Sequence, residues 1–139
     1  MDADVIVTDH KARVAKFLEL GGVLTICRDI PRWGLNAGVF ILRRCDRAMT
    51  FLDTVWKTGD PSVRPWEQET IRSYALTMGP DIVVYPTRSF NSFVSSDPEH
   101  TDDTMWKKGD FVAHCLGTGM GEKLAMVMAT LKKANLLER

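Results

Sequence analysis

The stretch "GLNAGVFILRRCDRAMTFLDTVW", residues 34–56, decides the fold class. Its first half holds a strong apolar run, "AGVFIL" at 37–42, that reads as a strand. Its second half changes period: Met49, Leu52 and Val55/Trp56 recur at helical spacing and predict an amphipathic helix from about Asp46 to Lys57. Upstream, "VLTIC" at 23–27 is β-branched enough to be a strand. Gly21-Gly22 before it ends a helix predicted from about His10 to Leu20, capped by Thr8-Asp9 and carrying Val14, Phe17 and Leu18 on one face. Residues 4–8 read as a first strand. Downstream, "TGDPSVRP" is a loop, and Ile71, Tyr74, Ala75 and Met78 mark a helix from Trp66 to about Met78. "DIVVYP" then reads as a buried strand, and residues 87–108 as a long irregular segment. "GDFVAHC" forms a last short strand, and Leu124, Val127, Met128 and Leu131 mark a closing helix. The alternation predicts an α/β layer sandwich, at least partly parallel, in a single domain over residues 1–139. Sites in such sheets lie at the carboxyl ends of strands, and loops as long as 87–108 are often functional.

Composition narrows the function classes. A chain that is 45% hydrophobic and 26% charged, with zero formal net charge, reads as soluble and globular. It offers no broad electrostatic case for nucleic acid or an anionic membrane surface. No apolar run approaches the roughly 18 residues of a transmembrane helix, and no signal peptide is visible. Cys27, Cys45 and Cys115 are odd in number and lack paired CxxC spacing, which argues against a disulfide framework or a zinc site.

Four stretches carry possible chemistry: "DAD" at 2–4, "LNAG" at 35–38, "WEQE" at 66–69 and "VAHCLG" at 112–117. Asp2 and Asp4 repel one another unless a cation lies between them, and two oxygen ligands suit a hard divalent ion such as Mg or Mn. The plainer reading is a solvated acidic turn. An EF-hand is excluded, because Val5, Ile6 and Val7 fill positions where that loop needs polar residues and a glycine. His114 follows a strand-like "FVA" and precedes Gly117; a lone histidine there is more often a satisfied core or surface residue than a ligand. "GTGMG" at 117–121 lacks the full phosphate-loop pattern.

In this order, "DADVIV", "GLNAGVFILRRCDRAMTFLDTVW", "WEQE" and "DFVAHCLG" together resemble glycosyltransferase family 34 from Asp2 to about Gly117. That family includes fungal α-galactosyl- and mannosyltransferases and plant xyloglucan xylosyltransferases. The resemblance implies a GT-A fold and a metal-dependent, retaining transfer from a nucleotide sugar, carrying UDP or GDP, to a glycan acceptor. It implies that Asp2 and Asp4 bind Mn2+ (or Mg2+) and the donor diphosphate, and that His114 completes the metal site. Asn36, Ala37 and Gly38 would lie against the donor sugar, with Gly117 also on the donor side. Glu67 and Gln68 would line the reaction centre, as polar stabilisers of an oxocarbenium-like carbon in preference to a nucleophile. A Golgi lumenal setting follows from the same likeness. In GT-A enzymes a nucleotide-binding region precedes the acidic pair, so the chain reads as the C-terminal part of such an enzyme, with weak nucleotide binding and self-association expected.

Two other classes compete. A haloacid-dehalogenase-type phosphatase also carries an acidic DxD, but there the strand precedes the pair, and here it follows. A non-catalytic module would bind a partner or sugar through Trp33, Trp56, Trp66 or Trp106.

Overall fold

A computed structural model describes residues 2–31, 34–60, 62, 67–117 and 119–137; Trp33 and Trp66, named above, lie outside them. The chain is mixed α/β and separates into two compact units, Arg13–Tyr85 and Met1–Ala12 with Pro86–Arg139. Each unit holds one three-stranded sheet.

In the Arg13–Tyr85 unit, β2 (Leu24–Arg28) is central, antiparallel to β3 (Leu35–Leu42) and parallel to β4 (Ile82–Tyr85). Two helices, α1 (Asp46–Thr58) and α2 (Glu67–Ala75), pack on one another, and α2 packs on β3. Leu24, Ile26, Leu35, Ala37, Phe51, Ile71 and Ala75 form the core. Burying an aromatic such as Phe51 contributes about 1.5–3 kcal/mol.

The packed face of α1 is only in part the predicted one. Ala48 and Phe51 are buried and Val55 packs against the core, whereas Met49, Leu52 and Trp56 are exposed, Trp56 at 87%. Both stripes keep a helical period. The helix predicted over His10–Leu20 is also shorter, a 3-10 turn at Val14–Leu18. Asp9 Oδ1 accepts the Lys11 N–H at 2.9 Å, an Asx turn that competes with helix initiation.

In the other unit, β6 (Val112–Cys115) is central, antiparallel to β1 (Val5–Val7) and parallel to β5 (Ser92–Val94), with α3 (Met120–Lys133) against it. Strand β5 lies inside the segment predicted to be irregular. Its three residues gain their structure from pairing: the Phe93 N–H donates to Thr104 O, and the Trp106 N–H to Phe93 O at 2.7 Å. On α3, Leu124 and Met128 are exposed, so part of the predicted stripe faces away from the sheet.

Asp110 ties the loop before β6 together. It accepts from Arg88 Nε at 3.1 Å, Arg88 Nη2 at 2.8 Å and the Lys107 N–H at 2.9 Å. Its carbonyl accepts the Thr8 hydroxyl at 2.6 Å, and Trp106 Nε1 donates to that hydroxyl. Burial pushes the Asp110 carboxyl up, but Arg88 and the Lys107 amide outweigh it, and the group rests below the usual carboxylate range. A carboxyl lowered on folding stabilises above its unfolded value, near 4, and loses that contribution as pH falls through its folded value. Asp110→Asn is therefore expected to cost about 1.5–3 kcal/mol at pH 7, with the deficit shrinking below pH ~3. Urea midpoints of both proteins at the two pH values measure it.

Candidate active site

The sequence-predicted residues gather in two clusters, one in each unit. The first is built by the antiparallel pairing of β1 with β6. Val5 pairs with His114, and the Cys115 N–H donates to Asp4 O at 2.9 Å. Because β1 runs against β6, the start of β1 lies beside the carboxyl end of β6. This is why an acidic pair ahead of its strand still reaches the sheet end where sites form.

Asp2, Asp4 and His114 each offer a ligand atom, and those atoms lie within 4.8 Å of one another. His114 Nε2 is 3.3 Å from Asp4 Oδ1 and 3.8 Å from Asp2 Oδ2. His114 is buried, Asp4 half-buried and Asp2 exposed, so the cluster opens toward solvent on the Asp2 side. The ring is oriented from behind: Nδ1 lies 3.0 Å from Oδ1 of the fully buried Asn91. The Asn91 amide oxygen can accept an N–H from Nδ1, which leaves Nε2 facing the carboxylates. Without an ion Nε2 hydrogen-bonds Asp4, and it would present its lone pair to a metal once that proton is released. Lys123, in the first turn of α3, donates to Asp4 Oδ2. The hydrogen bond with His114 holds the Asp4 carboxyl far below the usual range; burial opposes this and Lys123 adds to it. Two carboxylate oxygens and one imidazole nitrogen converging in this way could hold a metal ion.

Gly117 lies two residues beyond β6. A Cβ there would come within 3.1 Å of Lys123 Cγ and 3.2 Å of Glu122 Oε2. The bare backbone lets the start of α3, and Lys123 with it, close on this loop.

The second cluster is a bulge. Ile26 pairs with Phe40 and the next residue, Cys27, with Asn36, so one step on β2 spans four on β3. Ala37, Gly38 and Val39 are the surplus, and their backbone leaves the β2 ladder. Side chains take up the freed donors. The Gly38 N–H donates to Asn36 Oδ1 at 2.9 Å, and the Ala37 N–H to Gln68 Oε1 at 3.1 Å. Asp29, just after β2, accepts from Asn36 Nδ2 at 2.9 Å and Gln68 Nε2 at 3.1 Å. Asn36, Ala37, Gly38 and Gln68 are thus brought together, with Asn36 and Ala37 buried. Glu67 is exposed at the first residue of α2 and outside this network.

Asn91 and Asp29 escaped the sequence reading. Neither sits in a motif; each acts on a residue distant in sequence, and only strand register shows it. Trp106, a candidate stacking residue, uses its indole N–H on Thr8.

The carboxylate–carboxylate–imidazole cluster is a group of side chains that could hold a metal ion, on a mixed α/β chain. Residues 23–125 match the model of the galactosyl transferase GMA12/MNN10 family, and the chain belongs to that family of glycosyltransferases. No curated protein and no solved structure gives a significant match. The matched span includes Asn36, Ala37, Gly38, Glu67, Gln68, His114 and Gly117. Asp2 and Asp4 precede it, so their place in a site rests on the geometry around His114.

Proposed function

We propose that the chain is the metal-binding and sugar-handling part of a GT-A-type, retaining glycosyltransferase that uses a UDP- or GDP-sugar and a glycan acceptor. One observation carries this reading: residues 2, 4 and 114, remote in sequence, bring three ligand atoms within 4.8 Å. In the reaction the bond between the anomeric carbon and the diphosphate oxygen breaks, and its electron pair leaves with the diphosphate. A divalent ion, if held by Asp2, Asp4 and His114, would offset the charge that develops on those oxygens. Asp2 and Asp4 would face the donor diphosphate. The acceptor hydroxyl enters on the leaving-group face, and its proton passes to the departing phosphate oxygen. Gln68 stabilises the oxocarbenium-like centre with its amide oxygen, Glu67 adds negative potential nearby, and Asn36, Ala37 and Gly38 form the wall for the donor sugar. Gly117 keeps the backbone small on the diphosphate side.

A Golgi lumenal setting belongs to the same reading; no described helix is long and apolar enough to cross a membrane. The exposed Met49, Leu52 and Trp56 on α1 support self-association as a further part of it.

Calorimetric titration of the chain with UDP and then GDP, with and without Mn, tests the reading. Mn-dependent binding is the expected result. A folded chain that binds neither nucleotide under any metal condition sinks it. Asn91→Leu, which cannot accept the ring N–H, is expected to weaken Mn binding by about 10- to 100-fold. Unchanged affinity would remove Asn91 from the metal site.

A further inference from the structure

We propose that Asp29 is a positioning residue for sugar transfer, the group that sets the orientation of the Gln68 carboxamide; the proposal rests on the reading of Gln68 above. An ionised carboxylate can only accept hydrogen bonds, and a backbone N–H can only donate. These two facts leave each amide in the network a single orientation. Gln68 turns its NH2 to Asp29 Oδ2 and its oxygen to the Ala37 N–H. Asn36 turns its NH2 to the same Oδ2 and its oxygen to the Gly38 N–H. The second carboxylate oxygen accepts the Ile30 N–H at 2.8 Å, so Asp29 receives three donors and offers none.

Asp29 itself is held by the loop that follows β2. Its N–H donates to Gly34 O at 3.0 Å, and the Gly34 N–H returns to Ile30 O at 3.2 Å. Gly34 has φ +75°, which glycine adopts without strain. These backbone bonds between residues 29–30 and 34 hold the carboxylate that faces the two amides from β3 and α2. No other residue type of this size accepts at all three places. In Asp29→Asn one terminal group becomes an NH2, which must meet either the Ile30 N–H or the two side-chain amides. If the Gln68 amide turned over to suit it, its own NH2 would oppose the Ala37 N–H. The network admits no neutral substitute, and the amide of Gln68 loses its fixed direction.

The test uses the full chain as wild type, Asp29→Asn, Asp29→Glu, Gln68→Ala and the Asp29→Asn/Gln68→Ala double variant. The Gln68 side-chain NH2 signals, assigned by their loss in Gln68→Ala, are followed by proton–nitrogen NMR. Asp29→Asn is expected to shift them and speed their exchange with water. Mn-dependent hydrolysis of UDP-galactose supplies the kinetic arm. Asp29→Asn is expected to lower kcat about 10- to 100-fold, leaving KM within about two-fold. Asp29→Glu, which keeps the carboxylate, is expected to fold and to recover part of that loss. The double variant is expected to turn over no more slowly than Gln68→Ala alone, because Asp29 acts through Gln68. Costs that multiply in the double variant, or NH2 signals unmoved in both Asp29 variants, overturn the proposal. Wild type with no hydrolysis of this donor counts against the glycosyltransfer reading at that donor, while the NMR arm still decides for or against Asp29.

Discussion

Exchanging Asp2 and Asp4 together for asparagine is expected to abolish Mn-dependent nucleotide binding and to lower sugar transfer by at least about 100-fold. The change is nearly isosteric, so shape is kept and charge is lost. The loss falls where charge matters: the Asp4 carboxylate stays ionised far into the acid range, held there by His114 and then Lys123. Removing it leaves Lys123 without this ion-pair partner, but Lys123 is 36% exposed, and water satisfies it at a cost within about 1 kcal/mol. The backbone bond from Cys115 to Asp4 O is untouched by the substitution. Because the His114 contact is lost as well, a thermal midpoint lowered with the fold kept, beside lost Mn binding, is the expected pair of results. A variant that binds Mn and nucleotide as wild type does would return the pair to the status of a solvated acidic turn.

Gln68→Ala is expected to cut turnover by about 100-fold while nucleotide affinity stays within about two-fold. A group that acts on a charge present only in the transition state lowers kcat when removed, whereas a group that binds the nucleotide lowers affinity. The same side chain accepts the Ala37 N–H, so the variant should also lose about 1 kcal/mol of stability. Denaturant titration separates that cost from the catalytic one. Steady-state kinetics with UDP-galactose, beside calorimetry with UDP, gives the split. Equal losses of turnover and affinity would sink the stabiliser role and make Gln68 a scaffold for the bulge alone.

The two predictions draw differently on what could be read in advance. The change of period between residues 37–42 and 46–57 announced β3 and α1, and the same signal found α2, β4, β6 and α3 within a few residues. Parallel pairing was expected and occurs twice, between β2 and β4 and between β5 and β6. Helix faces were less legible. On α1 the choice between Phe51 and Met49/Trp56 depends on which stripe meets a partner, and two apolar stripes of equal period carry no label. Strand β5 was missed because three residues in a polar stretch have no period to detect.

By itself, then, the sequence determined the mixed α/β class, most of the elements, the family, and the acidic pair, histidine, Asn36 and Gln68 as the residues to watch. Those rest on local hydrophobic period and on motifs a few residues long. Only the tertiary structure decided how they are arranged. The β1–β6 register brings residue 4 beside residue 114, a three-residue surplus on β3 turns "AGV" at 37–39 from a paired strand into a bulge, and Asn91 and Asp29 orient side chains from outside every motif. Hydrogen bonds between distant residues leave no periodic trace along the chain, because their partners are chosen by strand register and not by spacing.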